Sequence, residues 1–401
     1  ACFLRETLMN RVALTLASFL AYFALSGMLA PIGILVQPSA AALGVSAGEM
    51  VRTLGFFSTG TLAGSLAAVV LLPSVKLRTL TLSVYGVAWC VLLWLLLMPT
   101  DLRAIAAMLC VLGACLGIGL AQAALVISRI YSETYRPSML VATDGSFSLA
   151  GFVTASATVF LLNQGAPWAS IYGLILAVVL VIFVTAFWLE FPENVRSEDS
   201  EDAGLSVRAW PRTIWFLAAA LFCYTFGQSS FLIWLPSFAQ TSIGLSAAEG
   251  GHLVGQYWLG MFIGQILTVV IVVRLGAVKM SLTGALGCFM ASALLFTYPL
   301  SLDSPSMLAL IWGICNFGLL KCLISQATLA FNETPAGLIP SLLLAASLGT
   351  ACSPLVSSWM VEALGVAAGM MTGLVSLAAV LLLVVAAIAW RRDMNLSGIK
   401  Q

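Results

Sequence analysis

The chain has 401 residues, of which 61% are hydrophobic and 8% charged. A soluble domain carries about a quarter charged residues, so this composition excludes a water-soluble globule. The net charge of +1 offers no electrostatic handle for nucleic acid or for an acidic partner.

Apolar runs of roughly 20 residues recur along the whole length, each long enough to cross a bilayer as a helix. A closed β-barrel needs alternating apolar and polar residues, and runs such as LAVVLVIF (Leu176 to Phe183) lack that alternation. The fold class expected is therefore an all-α membrane protein. The spans fall at 12–36, 51–73, 77–98, 102–127, 138–163 and 168–190, then 213–238, 251–274, 278–299, 305–330, 337–361 and 367–390. Span 1 follows Met9-Asn10-Arg11, so residues 1–8 are expected to be an upstream extension or an added, non-native segment. It is long and lacks a small-residue cleavage site, so it reads as a span and not as a cleaved signal. Within it, Gly27, Pro31 and Gly33 predict a kink whose freed carbonyls face a cavity.

The longest polar interruption is FPENVRSEDSEDAGLSVRAWPR, residues 191–212, which divides the spans six and six. It is a linker in length, too short for a fold. The domain organisation expected is a six-helix half over 1–190, a cytoplasmic linker over 191–212 and a second half over 213–401. Basic residues set the orientation. With a cytoplasmic N-terminus, 14 of the 17 Lys and Arg lie inside, among them Arg5, Arg11, Lys76, Arg129, Arg212 and Lys400. Both termini are then cytoplasmic, in the plasma (inner) membrane. Trp94, Trp168, Trp234 and Trp359 fall near the outer ends of helices, and Trp188, Trp215 and Trp390 near the inner ends, as aromatic belts require.

One phrase occurs twice. LGVSAGEM (Leu43 to Met50) precedes span 2, and IGLSAAEG (Ile243 to Gly250) precedes span 8. Each holds S-x-x-E, the capping box that satisfies first-turn N–H groups. The 200-residue offset continues: Gly55, Gly60 and Gly64 match Gly255, Gly260 and Gly264, and Glu133-Thr134 matches Glu333-Thr334. The chain is an internal duplication. Because six is even, both copies enter the membrane in the same sense, a parallel repeat about the membrane normal. Gly60 and Gly64 let helices approach closely, on spans expected at the interface between the halves.

These features resemble the major facilitator superfamily over the full length, and within it the TsgA-type subgroup related to fucose–proton symporters. The supporting stretches are TDGSFSLAG (Thr143 to Gly151), EFP (Glu190 to Pro192), CYTFGQSSFLIWLPSFA (Cys223 to Ala239) and LVGQYW (Leu253 to Trp258). The resemblance implies twelve helices in two parallel six-helix repeats and transport by alternating access. The superfamily's basic motif between spans 2 and 3 is reduced here to LPSVKLRTL, which keeps Lys76 and Arg78 but has no aspartate. Fucose-type symporters carry acidic residues in spans 1 and 4, and this chain has none there.

Ionisable groups inside a bilayer are costly and mark function. Two lie well within spans, Asp144 in span 5 and Lys321 in span 10. Either they pair to close an inner gate, or Asp144 titrates as the coupling carboxylate, or Asp144 braces helices within its own half. In span 7, YTFGQSS (Tyr224 to Ser230) sets a glycine beside polar residues, which predicts a broken, cavity-lining helix. Tyr224 and Gln228 are solute-binding candidates there, with Trp234 or Trp258 as an apolar platform and Asn316 and Gln122 as further polar contacts. Helix–helix hydrogen bonding competes with solute binding as the role of Gln228 and Asn316. His252, the one histidine, reads as interfacial and solvated beside Glu249. Nine cysteines stand singly, without CxxC or metal-ligand spacing, and no nucleotide loop or catalytic triad occurs. No cofactor, metal or enzymatic activity is expected. The partners are a small solute, protons and the lipid bilayer, with no nucleic acid, and the chain is expected to act as a monomer.

The function expected is secondary active transport of a small solute, as proton-coupled uptake of a polar or sugar-like molecule. The alternatives are export of an amphipathic or toxic compound, or a non-transporting membrane receptor or scaffold.

Overall fold

The computed structural model describes residues 2–97, 100–132, 135–192, 210–297, 305–316, 318–331 and 338–396. The described residues form helices throughout, twelve of them long and apolar enough to cross a membrane. The chain separates into two compact units, Ala1–Arg196 and Ser197–Gln401.

In the first unit α1 (Cys2–Leu29) gives way at Pro31 to α2 (Ile32–Leu43). Proline cannot donate to the helix ladder, so the kink expected in span 1 is a break between two helices. Then follow α3 (Ala47–Ser74), α4 (Leu77–Leu96), α5 (Leu102–Ile130), α6 (Arg136–Asn163) and, after a 3₁₀ turn at Trp168–Ser170, α7 (Ile171–Thr185). The second unit holds α8 (Arg212–Phe238), a π turn at Ala239–Ile243, α9 (Ala247–Leu275) and α10 (Ala277–Phe296). Span 10 is split into α11 (Pro305–Cys315) and α12 (Leu319–Thr328), and α13 (Leu338–Leu364) and α14 (Val366–Leu396) complete the unit.

The repeated phrase is a helix start in both copies. The Ser46 Oγ accepts from the Glu49 N–H at 3.1 Å, and the Ser246 Oγ from the Glu249 N–H at 3.3 Å. Only the second copy closes the reciprocal bond, with the Ser246 N–H donating to Glu249 Oε2 at 2.8 Å.

The glycines matched across the copies act inside each unit. A Cβ built on Gly60 would fall on the carbonyl of Cys110, and one on Gly113 on the carbonyl of Phe57. In the second copy Gly260 meets the carbonyl of Leu310, and Gly313 that of Tyr257. α3 and α5, and likewise α9 and α11, thus touch backbone to backbone. Without a hydrophobic force between helices in lipid, such contact is what holds them. Elsewhere in the first unit α1 packs on α5, α6 and α7, and α4 on α5 and α7. In the second, α8 packs on α13 and α14, and α10 on α11, α12 and α14.

Polar clasps tie helix ends. Asn10 Nδ2 donates to the Glu190 carbonyl at 2.9 Å and the Glu190 N–H returns to Asn10 Oδ1 at 3.0 Å. Arg78 donates to the Phe187 carbonyl. The guanidinium of Arg11 lies 4.1 Å from the Tyr131 ring centroid, and that of Arg212 4.9 Å from Trp390.

Two expectations are corrected here. Trp168 and Trp234 are buried and face no belt, because Trp234 Nε1 donates to Ser357 Oγ at 3.0 Å and Trp168 packs edge-on against Tyr172. Trp188, Trp215 and Trp359 are exposed, as a belt requires. Span 7, expected to break at Gly227, is instead a continuous helix. Gly227 serves a close approach, its open side filled by the Gly373 carbonyl and Leu377 of α14. The break lies in span 10, where Gly318 takes a left-handed φ of 53° that L side chains rarely adopt.

Candidate functional site

The break in span 10 organises the densest set of side-chain hydrogen bonds in the second unit. α11 closes at Asn316, whose N–H donates to the carbonyls of Trp312 at 3.0 Å and Gly313 at 3.1 Å. Its side chain is fully buried and bonded on both sides. The Tyr224 hydroxyl donates to Asn316 Oδ1, and Asn316 Nδ2 donates to the Tyr257 hydroxyl at 2.6 Å. That hydroxyl also accepts from Gln228 Nε2 and leans its proton on Met261 Sδ at 3.6 Å. Four side chains from α8, α9 and the α11–α12 junction thus form one chain of donors and acceptors.

Aromatic rings back this chain. The centroid of the Tyr257 ring lies 4.3 Å from that of Trp312, and the centroid of Phe231 4.7 Å from the same tryptophan. Tyr224, Tyr257, Trp312 and Asn316 are buried, whereas Gln228 and Met261 are partly exposed. Buried polar groups in a low-dielectric setting must be satisfied, and the hydroxyls of Tyr224 and Tyr257 and the amide of Asn316 each have a partner. Gln228 is the accessible end of the network. None of these bonds uses its Oε1, which is left to accept a proton from a hydroxyl or amide.

Of the sequence-derived solute candidates, Tyr224, Gln228 and Asn316 therefore come together in one network. Trp234 and Trp258 are buried, with Trp258 edge-on to Tyr257 at 5.5 Å. Gln122 belongs to the first unit, where its Nε2 donates to the Leu77 carbonyl at 2.7 Å and to Thr81 Oγ1 at 2.5 Å. The second unit has a counterpart one helical turn further on, Ser281 Oγ donating to Gln326 Oε1 at 2.6 Å.

Asp144 is partly buried on α6, within electrostatic reach of the Tyr22 hydroxyl on α1, which hydrogen-bonds Thr143. Nearby, Ser146 Oγ donates to the Phe19 carbonyl at 2.9 Å, fastening α6 to α1. Lys321 lies in the first turn of α12 and is exposed. The two charges belong to different units. His252 is exposed in the second turn of α9, and Glu133 and Glu333 lie outside the described residues. Among the described residues no three His, Cys, Asp or Glu side chains gather to hold a metal ion.

Tyr257, at the centre of the network, was not a sequence candidate. A signal for it exists. In the 200-residue register, which pairs Gly27 with Gly227 and Gly113 with Gly313, the four network residues face Ala24, Met28, Phe57 and Leu116. Each is apolar in the first copy and polar in the second.

The sequence profile described as Major Facilitator Superfamily matches residues 13–343. Protein TsgA of Shigella dysenteriae serotype 1 (strain Sd197) is 27% identical over 373 residues, covering 90% of this chain and 91% of that protein. Among solved structures, the nucleoside transporter NupG superposes with a TM-score of 0.73 at 12% identity, over 95% of this chain and 98% of NupG. A D-xylose–proton symporter does so with a TM-score of 0.69 at 14% identity, over 95% and 96%. The transporter FucP gives a TM-score of 0.62 at 15% identity, over 92% and 98%. The corrected helix inventory, the duplicated architecture and the matched profile agree: this chain belongs to the Major Facilitator Superfamily of membrane transporters.

Proposed function

We propose that the chain is a secondary active transporter that takes up a small, neutral, polar solute together with protons, by alternating access of its two units. The observation that carries this reading is the network Tyr224–Asn316–Tyr257–Gln228, which presents one amide at its accessible end. An amide acceptor backed by aromatic rings suits a hydroxyl-bearing or base-bearing solute, and no charged side chain takes part in the network. Two proteins of the same fold, a nucleoside transporter and a D-xylose–proton symporter, act on solutes of this chemical kind. In this reading both termini and the link over 191–212 are cytoplasmic and the membrane is an inner one, which the 14 basic residues counted on one side support.

Asp144 is the coupling carboxylate in this reading. It is a carboxylate inside a span, set beside the Tyr22 hydroxyl, and ionisable groups at such positions mark proton or solute pathways. Lys321 acts as a gating charge. The test is solute-induced proton movement in proteoliposomes, with pentoses, hexoses and nucleosides as the panel. Alkalinisation of the medium with one solute class, lost in Asp144→Asn and weakened in Gln228→Ala, is the result expected. Solute crossing without any proton signal would remove the coupling role of Asp144. Unchanged solute binding in Gln228→Ala would remove the network from the solute site.

A further inference from the structure

The break at Gly318 divides span 10 into two helices with unlike outer faces. On α11 the exposed side chains are apolar, Met307 and Ile311. On α12 they are Lys321 and Ser325, one helical turn apart, with Thr328 partly exposed beside them. The next exposed side chain, Leu329, lies past the helix end. The opposite face of α12 is buried and apolar apart from Gln326, and the helix packs on α8, α10 and α13 of its own unit.

Lipid does not suit this outer face. The span runs on to Thr328, which sets Lys321 about 10 Å inside its end by helix rise. An ammonium facing hydrocarbon at that depth is costly unless its stem carries it to the surface. The stem is badly placed for that, because helical side chains lean towards the helix N-terminus, here towards the middle of the span. The position is electropositive as well. Lys321 stands in the first turn of α12, at the positive end of the helix dipole, and that turn holds no acidic residue. The first turns of α3 and α9 each hold a glutamate. In the 200-residue register Lys321 and Ser325 face Ala121 and Leu125, so the first copy builds span 4 without either polar group.

We infer that the exposed face of α12 is the wall of a water-filled vestibule, and that Lys321 makes this vestibule select by charge, admitting neutral and anionic solutes and repelling cations. Water at this face solvates the ammonium and the hydroxyls, which removes the cost of placing them within a span. The ammonium and the dipole end then raise the local concentration of anions and lower that of cations. The purpose of the filter rests on the transport reading above, to which it adds a solute class that is turned away, amines and other organic cations.

The test reads the face directly and needs neither solute nor proton movement. Ser325→Cys, Lys321→Cys and Leu382→Cys are each made in the full chain, held in nanodiscs of neutral phospholipid, and reacted with an anionic and with a cationic methanethiosulfonate. Leu382 is an exposed position on α14, about 12 Å by helix rise from the end of its span at Trp390, and serves as the lipid-facing control at similar depth. Mass spectrometry reads the rates, and the unaltered chain sets the contribution of the native cysteines. Labelling at both α12 positions and not at Leu382→Cys is expected. For Ser325→Cys the ratio of anionic to cationic rate is expected to fall about fivefold when Lys321→Met is added, as a unit charge about 8 Å away in water implies. Taking the ratio cancels any change in the thiol itself. Absence of labelling at both α12 positions would set this face against lipid and overturn the vestibule. A ratio that Lys321→Met leaves unmoved would overturn the selection by charge. Either failure leaves the proton-movement test of Asp144 untouched, so it is distinguishable from failure of the transport reading.

Discussion

Tyr257→Phe isolates the hydrogen-bond network from its aromatic backing. The ring remains, and with it the contact to Trp312 at 4.3 Å. What is lost is one hydroxyl that accepts from Asn316 and Gln228 and donates towards Met261. Gln228 is partly exposed and finds another partner. Asn316 is fully buried and does not. A buried N–H left unpaired costs about 1–3 kcal/mol. Polar pairs between membrane helices, measured in double-mutant cycles, average only about 0.6 kcal/mol and reach about 1.7, because the unfolded chain in lipid also finds partners. The overlap of the two ranges sets the expectation at about 1–1.7 kcal/mol.

The assay is the unfolding equilibrium in bicelles, for Tyr257→Phe, Asn316→Leu and the double variant. Asn316→Leu takes the acceptor from the buried Tyr224 hydroxyl in both the single and the double variant, but with the amide gone the loss of the Tyr257 hydroxyl orphans nothing further, so the double variant costs less than the sum of the two. The expected coupling is about 0.6–1.7 kcal/mol. A Tyr257→Phe protein as stable as the original, with the two changes additive to within about 0.3–0.5 kcal/mol, would refute the network as a structural unit.

Two further predictions concern the scaffold. Gly113→Ala places a methyl on the Phe57 carbonyl and is expected to cost about 1–3 kcal/mol, as overpacking does, whereas Gly173→Ala meets nothing within 4 Å and is neutral or stabilising; thermal unfolding of both distinguishes them. Ser246→Ala breaks a reciprocal capping box and is expected to cost about 1 kcal/mol, more than Ser46→Ala, whose cap is one-sided; hydrogen exchange at the first turns of α9 and α3 reads both.

The twelve spans were legible because a bilayer demands an apolar helix of fixed length, and that demand acts on each segment by itself. The duplication was legible because its marks are local too: a cap, and glycines where backbones touch. Gly60 and Gly260 were visible as small residues, but which helix they touch depends on the other element of the pair, and both touch helices of their own unit. The break in span 10 was misplaced to span 7 for the same reason. A glycine among polar residues looks alike whether it bends, as Gly318 does, or packs, as Gly227 does against Gly373. Tryptophans near helix ends likewise look alike whether they meet lipid, as Trp359 does, or a serine on the next helix, as Trp234 does.

The solute candidates show where a stronger reading of the sequence lay. Gln228, Tyr224 and Asn316 stand out in the sequence singly, as polar residues in apolar helices, and Trp258 stands out over its neighbour Tyr257. Comparing the two copies position by position separates what the scaffold needs from what it does not. The glycines at 60, 113, 260 and 313 are shared because each unit needs its helices to touch. The four polar network residues are unshared, standing against Ala24, Met28, Phe57 and Leu116. A membrane helix gives up apolar packing to carry such groups, and the first copy builds the same helix contacts without them. The fold therefore does not require them, which is what the proposed solute role of the network predicts.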